Sequence, residues 1–221
     1  MPCAFPAAAE PPRSSPVGVR DQLRRLRYRP LKPDSSSRTV ALSATIYAFD
    51  ITLNDADRGV YESLSFRVAR HPSETEEYLL TRVIAYCLEY TRGIQFSKGL
   101  SEPEVPAVSV RDLTGRLLSW IDIGAPDAER LHKAAKASPR VVVYTHRDVA
   151  ALLARLATEH VHRSENIEIY AVDRSFVGAL AARLDRRMSF DLAVADRHVY
   201  LSLGEETLAG VIERHHILKA T

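Results

Sequence analysis

Cysteine is nearly missing from this 221-residue chain, which has two in all. Cys3 and Cys87 lie far apart, and Cys87 sits in the apolar helical pattern "RVIAYCLEY". That placement suits a small buried hydrophobe, so a disulfide-stapled secreted fold is excluded and a reducing, cytoplasmic setting is expected. No run of about 18 or more apolar residues occurs, which excludes a membrane-spanning helix. Glycine is sparse too, at nine residues. No Gly-rich stretch forms a phosphate loop or a nucleophile elbow. His160 and His162, and the pair His215–His216, have no Cys or acid at ligand spacing, so they do not compose a zinc motif.

A strong net charge is also lacking: 30 Lys/Arg against 28 Asp/Glu gives +2. Residues 1–40 hold eight of the basic and three of the acidic side chains, leaving 22 basic and 25 acidic in the remainder. The globular part is thus mildly acidic, and any nucleic-acid binding has to come from a local patch rather than from overall charge. What is present is ordinary for a soluble globular protein, with enough apolar residues for one good-sized core.

Residues 1–40 also hold seven of the twelve prolines, beside Ser and Ala runs, and cannot bury a core. Within them "VRDQLRRLRYR" has the makings of a short basic helix. Three readings of this segment stay open: a transit-like peptide, a disordered tail, or a misplaced start codon.

From Leu42 the pattern becomes structural. "LSATIYAFDITL" and "VYESLSFRVARH" alternate around the turn residues "NDADRG", which reads as a hairpin with one buried face. "HPSETEEYLLTRVIAYCLEYTRG" reads as a helix, with Ser73 and Glu76 as a capping box, an apolar stripe from Leu79 to Leu88, and Gly93 as its stop. Three strands, a helix opened by Pro126 and Asp127, and the covered strand "RVVVYTH" follow. A helix, the strand "IEIYAV", a helix capped by Asp173 and a hairpin around Ala195 to Arg197 complete the pattern, while "GVIERHHILKAT" is weakly patterned. The fold class is α/β, a mixed central sheet sandwiched by helices, with N-terminal and C-terminal β-hairpins.

One residue in this pattern is out of place. The apolar run Leu117 to Ile123 ends on a carboxylate, Asp122, just before Gly124 and Pro126 break the strand. An unpaired carboxylate in a covered strand is costly. Two solutions stay open: an ion pair with a nearby Lys or Arg, or a bound cation at the strand end, where open α/β sheets form clefts. Trp120, next to it, reads as core packing.

The segments "ALSATIYAFD", "ARHPSETEEYLLTRVIAYCLEY", "FSKGLS", "DLTGRLLSWIDIGAPDAERLHKA" and "VVVYTH" together resemble the YaeQ family, from about Ala41 to the hairpin near Leu203. Chains of that family usually begin with Met directly before the "ALSATIY" segment. The resemblance therefore places Val40 at the initiator position and leaves residues 1–39 untranslated. It implies an N-terminal extension over 1–40, a single domain over 41–212 and a tail over 213–221. It also implies a PD-(D/E)XK nuclease-like fold, in which two acids on neighbouring strands hold Mg²⁺ and a lysine supports phosphodiester cleavage, chemistry that needs a hard cation on oxygen ligands.

Carried over position by position, the resemblance makes Asp122 the second acid and a metal ligand. Gly124 stands where such nucleases place their lysine, and Lys133 on the following helix takes that role, the alternative for Lys133 being a solvated helix face. Ala107 stands where the first acid should be, with Glu104, three residues earlier, as the substitute ligand. Glu74 and Glu77 are additional candidates from the first helix; capping and helix N-terminal charge are the alternative for Glu74. The implied function is Mg²⁺-dependent phosphodiester hydrolysis, weakened or lost at a degraded site. The alternative is a non-catalytic, nucleic-acid- or protein-binding regulatory domain.

Overall fold

The computed structural model describes residues 44–97 and 104–218; the N-terminal extension inferred from composition lies outside them. Strands β1 (Thr45–Asp55) and β2 (Val60–Arg70) form the expected hairpin, paired antiparallel along their whole length. Period-two alternation sends Tyr47, Phe49, Ile51 and Leu53 to one buried face. Helix α1 (Glu76–Leu88) follows, then β3 (Ile94–Phe96), β4 (Val108–Arg111) and β5 (Leu117–Ile123). Helix α2 (Ala128–Ala137), β6 (Arg140–Thr145), α3 (Val149–Thr158), β7 (Ile167–Val172) and α4 (Arg174–Ala181) alternate in turn. Strands β8 (Arg187–Ala195), β9 (His198–Leu203) and β10 (Glu206–His215) close the order.

The described strands join in one sheet, ordered β2-β1-β8-β9-β10-β7-β6-β5-β4-β3. It is mixed: β5, β6 and β7 run parallel, as do β1 and β8, and the other neighbours are antiparallel. Helices α1 and α4 bury Leu79, Leu80, Ile84, Phe176 and Leu180 in the larger core, with the inward residues of β1, β8 and β9. Helices α2 and α3 pack Leu131, Ala134, Leu152 and Leu156 with Trp120, Val141 and Val143 in a second core. Both faces are therefore covered over β5 and β6, as the bare "VVVY" run implies. The β1 and β8 half departs from a full sandwich, since those strands alternate buried and exposed residues and meet helices on one face.

Three local expectations are corrected. The cap of α1 is Thr75, whose hydroxyl accepts from the Tyr78 amide at 3.2 Å, and Ser73 bonds His71 Nδ1 at 2.6 Å instead. The helix ends at Leu88 rather than near Gly93, because the Arg58 guanidinium reaches across to donate to the Leu88 and Tyr90 carbonyls. Third, the weakly patterned "GVIERH" stretch belongs to strand β10, antiparallel to β9 and, through Ile212–His215, to β7. Gly210 obscures that strand in the sequence. A Cβ there would lie 2.7 Å from the Cβ of Phe176, so glycine is what allows α4 to settle on the sheet.

Candidate functional site

Strand β5 is buried from Ser119 onward. Alternation places Ile121 and Ile123 on the α1 side and Trp120, with Asp122, on the α2 side. Asp127 caps α2 by accepting the Arg130 amide at 2.8 Å, which fixes Arg130 in the first turn, above the strand end. Its guanidinium clasps Asp122 with two bonds, Nε to Oδ2 at 2.8 Å and Nη2 to Oδ1 at 2.6 Å, and Nη2 also donates to the Val105 carbonyl at 2.9 Å. The same guanidinium lies 5.6 Å from the Trp120 ring centroid. The Asp122 side chain is 2% exposed and that of Arg130 25%. The buried carboxylate is thus paired through both oxygens, the geometry that best offsets desolvation.

The other expected residues distribute around this clasp. Lys133, on the next turn of α2, forms an ion pair with Glu104, both largely exposed. The β4–β5 register sets Val108 opposite Ile121, which brings buried Ala107 to the level of Asp122. A methyl group therefore stands where the resemblance asks for a carboxylate. Glu74 is buried against Arg82, with both oxygens 3.2 Å from its guanidinium, and Arg82 also donates to the Ala69 carbonyl at 2.6 Å. The Arg82 guanidinium lies 5.9 Å from the Tyr78 ring centroid, and the Tyr78 phenol is pushed up to about 12 by burial, with Glu74 and Asp122 adding to the rise. The structure thus joins Lys133 to Glu104 and Arg130 to Asp122, and holds Glu74 in a separate ion pair beside α1.

This donor set does not fit a magnesium ion, which needs several free oxygen ligands. Asp122 is engaged by Arg130, Glu104 by Lys133, and Ala107 offers no oxygen. Among the described residues, no three His, Cys, Asp or Glu side chains gather closely enough to hold a metal. At Gly124, where the resemblance would ask for a lysine, the backbone itself favours glycine. Its φ of +86° is a left-handed conformation that side chains other than glycine rarely adopt.

Glu77 leads elsewhere, to a cleft of about 520 Å³ at the carboxyl ends of β5 and β6. Arg147 enters from the β6–α3 junction, Arg155 from α3 and Arg174 from the start of α4, with Ala151, Val177 and Gly178 among the other lining residues. Arg155 is fixed by Nη2 bonds to the carbonyls of Ala125 (3.2 Å) and Pro126 (2.7 Å). His146, buried at 8% exposure, meets the Thr81 hydroxyl through Nδ1 at 3.0 Å. Thr81 has one hydroxyl proton and donates it to the Glu77 carbonyl at 2.7 Å. Both bonds are satisfied together when Nδ1 carries the imidazole proton, which leaves Nε2 as an acceptor. Burial, with Arg147 and Arg174 nearby, holds the His146 pKa below its ordinary value against the opposing pull of Glu77.

These arginines were not singled out from the sequence, although a signal existed. Arg147 follows a fully covered strand by two positions and Arg174 directly follows an N-cap, both at strand ends where open α/β sheets form clefts. A second polar cluster also escaped notice. Arg140 is held by Glu89 and Glu168, Tyr144 donates to Glu89 at 2.9 Å, and Tyr170 donates to Glu168 at 2.8 Å. Burial opposes the Arg140 charge, yet the two carboxylates outweigh it and push its pKa up. This network satisfies itself.

Comparison with known proteins places this geometry. A family model described as "YaeQ protein" matches residues 40–211. The uncharacterised YaeQ protein of Escherichia coli (strain K12) is 29% identical over 164 residues, 74% of this chain and 91% of that one. The YaeQ protein of Salmonella typhi is 29% identical over 168 residues, with the same coverage. Among solved structures, YaeQ from Pseudomonas syringae superposes with a TM-score of 0.71 at 30% identity, covering 77% of this chain and 95% of that one. YaeQ from Xanthomonas axonopodis pv. citri does so with a TM-score of 0.68 at 29% identity, covering 80% and 100%.

Proposed function

The chain belongs to the YaeQ family, and for this member of it we propose a binding role: a domain of nuclease-related fold that holds nucleic acid without metal-dependent hydrolysis. The observation that carries the reading is the Arg130 clasp, which engages both oxygens of Asp122. A guanidinium there supplies the positive charge that a metal would otherwise bring, and it fills the space beside the carboxylate. The PD-(D/E)XK assignment belongs to the same proposal. Its support is the adjacency of β4 and β5, the two strands on which such folds carry their acids, with Ala107 level with Asp122.

Binding is supported by the cleft one strand further along the same sheet edge. Its three arginines form a local basic patch in a globular part that is acidic overall. Phosphate contacts from arginine release counterions, so affinity tracks salt. The test is fluorescence anisotropy with labelled single-stranded DNA, duplex DNA and RNA at several salt concentrations in EDTA. Binding is expected without any divalent ion, with log K falling against log salt at a slope of about −2 for three contacts to a single strand. A chain that binds none of these substrates at low salt contradicts the reading.

A further inference from the structure

The geometry points to the Arg147–Arg155–Arg174 cleft as a binding site for a phosphate monoester, a terminal phosphate rather than one within a chain. The inference rests on the binding role above for its placement and narrows the ligand. Three arginines come from three separate segments and line one cavity, Arg155 with its Nη2 already held by the Ala125 and Pro126 carbonyls. A monoester offers three non-ester oxygens and nearly two negative charges at neutral pH, one oxygen for each arginine. An internal diester offers two oxygens and one charge. Arg147 and Arg174 form no salt bridge among the described residues, so both are available to a ligand.

The acids of the cleft sharpen the choice. Glu77 and Asp148 also line it, and Asp148 is engaged in capping α3 through the Ala151 amide at 3.0 Å. Two carboxylates beside three arginines favour the end of a nucleic-acid chain, where one compact dianion can sit among the arginines, over the middle of a chain, whose flanking phosphates would meet the acids. Helices α3 and α4 both begin at this cleft, but Asp148 takes the Ala151 amide and Asp173 the Ser175 and Phe176 amides, so the arginines are the main donors left to a ligand. His146, proton on Nδ1, presents an acceptor for the P–OH of a singly protonated monoester. A volume of about 520 Å³ suits a mononucleotide-sized group.

Two sources carry this chemistry, the phosphorylated end of a nucleic acid and a free mononucleotide. The test titrates the full chain with one oligonucleotide in 5′-phosphorylated, 3′-phosphorylated and hydroxyl-ended forms, and separately with adenosine 5′-monophosphate. A phosphorylated end is expected to bind about tenfold or more tighter than a hydroxyl end, the scale of one or two charge-assisted hydrogen bonds. The difference should vanish in Arg147→Ala/Arg174→Ala. It should also vanish in Gly178→Leu, which keeps every charge but adds bulk where a Cβ meets nothing within 4 Å. Thermal melts confirm that each variant is folded.

Equal affinity for all three oligonucleotide forms overturns the inference and leaves the binding role standing. Adenosine monophosphate binding without oligonucleotide binding supports the phosphate site and overturns the polymer reading. Binding of neither overturns both.

Discussion

Asp122 shows how one buried charge constrains its surroundings. Removing a single partner of such a pair leaves the other uncompensated, so Asp122→Ala is expected to cost about 3 kcal/mol in urea unfolding. Replacing both partners by apolar residues, Asp122→Leu with Arg130→Met, should recover most of that loss; a double variant no better than the single one contradicts a structural pair. Placing a lysine at the position where the resemblance would ask for one, by Gly124→Lys, should cost about 1–2 kcal/mol, because φ there is +86°. It should not confer hydrolysis. His146 gives a pH signature. Its folded pKa lies below 6.5, so between that value and 6.5 the unfolded chain binds more protons, and stability falls as pH drops through this window. An NMR titration placing His146 at or above 6.5 contradicts the assignment. The oddity of Asp122 was legible from its place in an apolar run. Its partner was not, since Arg130 lies eight positions on, across a turn, and only the Asp127 cap sets its direction.

Among the elements, periodicity carried most of the architecture. The hairpin, α1 and the alternation of β5, α2, β6, α3, β7 and α4 were readable because each buries a stripe or a face at its own period. Ends were less readable. The stop of α1 comes from Arg58, thirty residues away from the Leu88 carbonyl it engages, a contact that no local signal encodes. Strand β10 was hidden because its glycine serves packing rather than a turn. Gly210→Ala is therefore expected to destabilise by about 1–3 kcal/mol through overpacking against Phe176. A variant as stable as wild type in chemical denaturation would show that α4 does not depend on that close approach.

At the scale of the molecule, the sheet edge carries two neighbouring sites with opposite character. At one, carboxylates that the family resemblance would give to a metal are tied to arginine or lysine. At the other, arginines line an open cleft. The family and the mixed sheet were legible from sequence segments, because those segments form the core strands and α1. The cleft was not, because its arginines come from three stretches that only the parallel strand order brings together. No helix among the described residues is long and apolar enough to cross a membrane. The proposed role requires this sheet edge to bind nucleic acid without metal-dependent cleavage. The most direct measurement incubates the full chain with end-labelled single-stranded and duplex substrates in Mg²⁺ or Mn²⁺, beside Asp122→Asn. Intact substrate is expected with both proteins, and divalent-dependent cleavage by the wild type that disappears in Asp122→Asn would contradict binding without hydrolysis.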